Sequence, residues 1–122
     1  MTRHMDPAPW PWLDRPRVLL ENPDPEAATA ELDTLRHAGY AVAVCSGPTS
    51  NDSCPVACSE GCALVEGADV VVTSLGLDRP EGRAVAEGLG LRYPQRPLVI
   101  EARPGELTTE QLLAAVGEAL AR

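Results

Sequence analysis

Residues 69–82 read DVVVTSLGLDRPEG, and this stretch decides the fold. Three consecutive valines after Asp69 make an apolar, β-branched run of the kind a strand shows when both of its faces are covered. Asp78, Arg79 and Pro80 then open a helix, with proline at a first-turn position where its missing N–H is no loss. That helix is expected to run to about Leu91, with Val85 and Leu89 turned inward. A doubly covered strand followed at once by a helix belongs to a parallel sheet, and the valine run is expected to be its central strand.

The flanking segments repeat the pattern. RVLLE from Arg17 is a short apolar strand, and Asp24-Pro25 supplies an N-cap followed by proline at the first helical position. Ala28, Leu32 and Leu35 then fall at i, i+4 and i+7 on one helix face, Arg36 and His37 suit the negative end of the helix dipole, and Gly39 ends the helix. His37 reads as a dipole partner and not as a ligand. Tyr40 to Val44 gives a second strand leading into Cys45, and Ala63 to Gly67 a helix or turn. Leu98 to Ile100 gives another buried strand. Thr108 with Gln111 forms a capping box for a last helix lined by Leu112, Val116 and Leu120. Four strands alternating with four helical segments predict an α/β fold, a small doubly wound parallel sheet of about four strands with helices on both faces. Residues 1–15 form an N-terminal arm, and residues 16–122 form the domain, with a cysteine-rich insertion at 45–62. Ligands of such sheets sit beyond the carboxyl ends of the strands, where Glu21, Cys45 and Ser74 emerge.

Composition narrows the function classes. The 122 residues are 44% hydrophobic and 23% charged, which suits one domain with one core. Phe and Lys are absent, so Val, Leu and Ala must build the core and every basic side chain is arginine. Ten basic residues against eighteen acidic ones leave a net charge of −8, which repels nucleic-acid backbones and anionic lipid. Neither a membrane-spanning run nor the apolar core of a signal peptide is visible, and the expected compartment is the cytoplasm. In the proline-rich arm, Trp10 and Trp12 flank Pro11, and two indoles left in water would be costly. They are expected to dock on the domain's own core or on a protein partner, a second copy included.

All four cysteines fall in one segment, CSGPTSNDSCPVACSEGC, residues 45–62, with the spacing C-x8-C-x3-C-x3-C. Thiolates are strong soft ligands and nucleophiles, so Cys45, Cys54, Cys58 and Cys62 can close a tetrahedral metal site or pair as disulfides. A straight helix through the last three would place the outer pair about 12 Å apart at 1.5 Å rise per residue, too far to share one ion. Pro55 and Gly61 suggest instead a short turn that swings Cys62 back toward Cys54 and Cys58, with Cys45 as fourth ligand. A reducing compartment favours a metal or a transient redox role over structural disulfides. Four small thiols with no shared task are the third reading.

The stretches RVLLENPDPEAATAELDTLRHAGYAV and DVVVTSLGLDRPEG resemble the first and third strands of the receiver domain of bacterial response regulators, with the loops and helix that follow them. The resemblance covers roughly Arg17 to Pro104, and its departures are informative. The family's phosphorylatable aspartate falls on Ser74, which cannot form an acyl phosphate. Its paired magnesium-holding acids fall on Glu21 and Asn22, leaving one carboxylate where two would help coordinate a hard cation. Its switch hydroxyl falls on Glu101, and its lysine has no counterpart. ARPGELTTEQLL runs almost directly into the last helix, so the family's fourth helix and fifth strand are missing.

The resemblance therefore implies a shortened receiver-like domain without phosphotransfer. No arginine stands six residues after any cysteine, as a low-molecular-weight phosphatase loop needs, and no glycine-rich phosphate loop follows a strand. The expected function is a non-enzymatic regulatory or protein-interaction module whose four-cysteine loop binds Zn²⁺ or an iron–sulfur cluster. Zinc favours closed four-thiolate sites, and Cys-Pro also occurs at cluster ligands. The alternatives are a thiol redox protein using a reversible cysteine pair and a purely structural partner-binding domain with no cofactor. A bare sheet edge left by the missing strand would favour homo-oligomers or a tight partner.

Overall fold

The computed structural model describes residues 14–45 and 62–121. Trp10, Trp12, Cys54, Cys58 and the turn expected between Pro55 and Gly61 lie outside the described residues. The elements alternate in chain order: β1 (Arg17–Glu21), α1 (Pro25–His37), β2 (Ala41–Cys45), α2 (Ala63–Gly67), β3 (Val70–Thr73), α3 (Pro80–Arg92), β4 (Leu98–Ile100) and α4 (Thr109–Ala121). All neighbouring strands are parallel, in the order β2-β1-β3-β4. The architecture is the expected small doubly wound α/β domain.

Side chains of a strand alternate between its two faces, and the two central strands distribute the core accordingly. Val18, Leu20, Val70 and Val72 pack with Leu35 of α1 and with Leu112, Val116 and Ala119 of α4. Leu19 and Val71 point the other way, onto Val65 of α2 and Val85 and Leu89 of α3. All six strand side chains are fully buried, and each contributes about 1.5–3 kcal/mol relative to exposure. This two-sided burial is why the valine run carries no polar alternation.

The caps form as the sequence implies. Asp24 accepts the Glu26 N–H at 3.0 Å to start α1, and Gly39, with φ +99°, ends it in the left-handed region. Thr108 and Gln111 exchange reciprocal side-chain bonds at 3.0 and 3.1 Å ahead of α4. At α3 the N-cap is Arg79, with no side-chain cap. The first turn of α3 instead sits tightly on the preceding loop, since a Cβ on Gly82 would lie 2.1 Å from the Gly76 carbonyl oxygen.

One expectation is corrected. Leu98–Ile100 was expected to be a buried strand, but among the described residues β4 lies at the edge of the sheet and pairs only with β3, and Ile100 is 46% exposed. An apolar tripeptide looks the same in a sequence whether one or two strands flank it. No described helix is long and apolar enough to cross a membrane.

Candidate functional site at the carboxyl ends of the strands

The ladder continues one residue past each strand and brings the strand ends into line. Asn22 N–H donates to Cys45 O at 2.9 Å, Ser74 N–H to Glu21 O at 2.8 Å, and Glu101 N–H to Thr73 O at 2.9 Å. Four of the residues singled out in the sequence, Glu21, Asn22, Ser74 and Glu101, are thereby gathered at one end of the sheet. All four are at most 3% exposed.

Their side chains are engaged with one another and with α1. Ser74 Oγ donates to Glu101 Oε1 at 2.5 Å, and Glu101 Oε2 accepts the Leu107 N–H at 2.8 Å. Asn22 Oδ1 accepts the Asp24 N–H at 2.9 Å, and its Nδ2 donates to Glu31 Oε1 at 3.3 Å. Asn22 is thus committed to the start of α1, and cannot act as the second acid of a cation pair. Glu21 is hydrogen-bonded to the Thr73 side chain, yet burial pushes its carboxyl up to about 7, while its Oε1 has no hydrogen-bond partner among the described residues. Among the described residues there is no group of three or more His, Cys, Asp or Glu that could hold a metal ion.

Glu31 and Thr73 were not singled out in the sequence. Glu31 falls three residues after Ala28 and four before Leu35, on the same helix face as the apolar stripe. A carboxylate in a buried stripe was the available signal, and the residue is 6% exposed. Burial, then the hydrogen bond and charge of Glu101, push its carboxyl up to about 7, with Asn22 opposing.

A cleft of about 380 Å³ opens beside this cluster, between Asp24 of the first loop, Leu75, Gly76 and Arg79 of the loop after β3, and Arg103 and Pro104 of the loop after β4. Glu21, Asn22, Ser74 and Glu101 do not line it. The Ser74 hydroxyl, with no exposure and its proton given to Glu101, has no route from that cleft to a substrate.

Cys45 ends β2 and Cys62 is the N-cap of α2. Both are half-buried and pack against the cluster of Leu19, Val65, Val71 and Leu89. Tyr93 fixes the second end: its hydroxyl accepts the Cys62 N–H at 2.8 Å and donates to Glu66 Oε2 at 3.0 Å. Burial, and after it the Glu66 carboxylate, raise the phenol pKa and keep it a donor. Arg96 adds a bond from Nη1 to Ala68 O at 2.9 Å, just past α2. Tyr93 carried no signal in the sequence, because its partners lie about thirty residues earlier.

No protein-family model matches the chain, and no curated protein sequence matches it significantly.

Proposed function

We propose that the chain is a non-enzymatic regulatory or protein-interaction module, a receiver-like domain without phosphotransfer whose four-cysteine loop is ordered by a metal. The observation that carries this reading is the fate of Ser74. At the position matching the phosphate acceptor stands a fully buried hydroxyl that donates to Glu101, itself at the position of the switch hydroxyl. A site for phosphoryl chemistry needs an accessible acceptor and cationic groups to stabilise the transferred charge. Here the acceptor is buried and bound to the Glu101 carboxyl, and the chain has no lysine.

The metal half of the reading rests on donor chemistry. Cys45 ends β2 and Cys62 is the N-cap of α2, at the two ends of the loop, and both pack against one apolar cluster. With Cys54 and Cys58 they make a four-sulfur set, which suits Zn²⁺ first and an iron–sulfur cluster second. A bound ion would order the loop as a surface for a protein partner or a second copy. The test is purification without chelator, followed by metal analysis and thiol counting before and after chelation. Thiols that stay reduced and become reactive only after chelation support the reading. A reversible disulfide within the four would replace it with the redox alternative. Partner binding unchanged by cysteine-to-serine substitution would replace it with the structural one.

A further inference from the structure

The described chain begins at Asp14, at the amino end of the sheet, and two depressions open there. The first, of about 520 Å³, runs from Asp14 and Arg17 at the start of β1, past Asp69 ahead of β3, to Pro97 ahead of β4, with Leu120 of α4 beside it. The second, of about 540 Å³, starts from the same Pro97 and lies between β4 and the end of α3, where Val71, Leu89, Tyr93, Pro94 and Leu98 line it. Leu98 is only half-buried, although it packs on the core cluster of Leu19, Val71 and Leu89. Arg17 lines the first depression and Arg96 the second, and the Nε of each is buried without a hydrogen-bond partner among the described residues.

We propose that residues 1–13 dock back on their own domain here, with Trp12 in the depression beside Pro97 and Leu120 and Trp10 in the one between α3 and β4.

Length decides which tryptophan goes where. β1 and β4 are two strand spacings apart, about 10 Å at about 4.8 Å per spacing. Pro7, Pro9 and Pro11 favour an extended chain, which advances about 3.1 Å per residue. Trp12, two residues before Asp14, therefore reaches about 6 Å, over the start of β3. Trp10, four residues before Asp14, reaches about 12 Å, enough to pass Pro97. Its indole brings an apolar body to Leu89 and Leu98 and a ring face to the Arg96 guanidinium. The extended arm also carries carbonyl oxygens past Arg17 and Arg96, the acceptors that their Nε–H groups lack. The tether holds both indoles at an effective concentration on the order of millimolar, which a second copy of the chain matches only in concentrated solution.

Both tryptophans of the chain lie in the arm, so indole fluorescence reads the arm alone. The experiment measures emission maximum and acrylamide quenching of the full chain across protein concentration, with Trp10→Phe and Trp12→Phe to separate the two rings and Gly90→Glu to put a charge into the second depression. Gly90 lines that depression, and nothing lies within 4 Å of a Cβ added there, so the helix accepts the new side chain. Both rings are expected to show blue-shifted emission and protection from quenching at every concentration, and Trp10 to lose both in Gly90→Glu. Emission and quenching equal to those of the urea-unfolded chain overturn the proposal, as does protection of Trp10 that survives Gly90→Glu. Protection that appears only as light scattering shows a dimer overturns it in favour of a second copy as the occupant. Should Gly90→Glu fail to fold, nuclear Overhauser contacts in the wild-type chain decide: Trp10 ring protons close to the Leu89 and Leu98 methyls support the docking, and their absence overturns it.

Discussion

Replacing Gly82 by alanine tests how tightly α3 is set on the loop that follows Ser74. An added Cβ would lie 2.1 Å from the Gly76 carbonyl oxygen, 2.8 Å from its carbon and 3.0 Å from the Leu75 oxygen. Carbon–oxygen contacts ordinarily begin near 3.3 Å, so the helix start or the loop must move by about 1 Å. The loop resists, because Arg79 N–H donates to Gly76 O and Leu77 N–H to Ala102 O, both at 3.1 Å, and Gly76 holds φ +92°. Forcing a methyl into such a contact costs about 1–3 kcal/mol, against which alanine regains up to about 1 kcal/mol of helix propensity. The net expectation is a loss of about 1 kcal/mol, lowering Tm by roughly 4 °C. Gly90, in the same helix, has nothing within 4 Å of its added Cβ, and Gly90→Ala is expected to gain up to about 1 kcal/mol. Urea unfolding of both variants at unchanged m-value reads the difference. If Gly82→Ala proves as stable as wild type while Gly90→Ala behaves as expected, the packing of α3 against Gly76 described above is wrong.

Three further expectations follow from the same geometry. Tyr93→Phe removes the acceptor of the Cys62 N–H and the donor to Glu66; a loss of about 1–2 kcal/mol is expected in urea unfolding, together with faster metal loss to a chelator, and unchanged values of both would refute the anchoring role. Glu21 and Glu31 keep their protons up to about 7 when folded, against 4.5 for an ordinary carboxyl. The unfolded chain therefore releases these protons first, so stability is greatest below the lower value, falls as pH rises through the window and levels off above it. Urea midpoints measured across that range would contradict this if they stayed flat or rose. Acetyl phosphate is expected to leave the chain unmodified, and an intact-mass increase of one phosphoryl group mapping to Ser74 would show that the hydroxyl is reachable after all.

The sheet was legible because burial on two faces leaves an unmistakable record in Val18–Leu20 and Val70–Val72, and because the caps at Asp24 and Thr108 use side chains within three residues of their partners. The edge position of β4 was not, since Leu98–Ile100 carries no mark of what pairs beside it. At the carboxyl end, Glu21, Asn22, Ser74 and Glu101 could be placed at the strand ends, but the bonds of their side chains could not be read. Glu31 meets Asn22 only because α1 turns its buried face, with Leu35, toward the sheet. Tyr93 reaches Cys62 through a contact that no local pattern encodes. Short-range chemistry was written in the sequence, and the closing of buried polar groups on one another depended on packing.

Metal content of the chain, purified without chelator and under reducing conditions, is the most direct measure of the proposed role. Elemental analysis with a visible spectrum and thiol counting is expected to find one equivalent of zinc on a colourless protein, with Cys45, Cys54, Cys58 and Cys62 reduced and protected until a chelator is added. Brown protein with visible absorption would place an iron–sulfur cluster there instead. Folded protein that carries no metal and exposes its thiols freely would contradict the account.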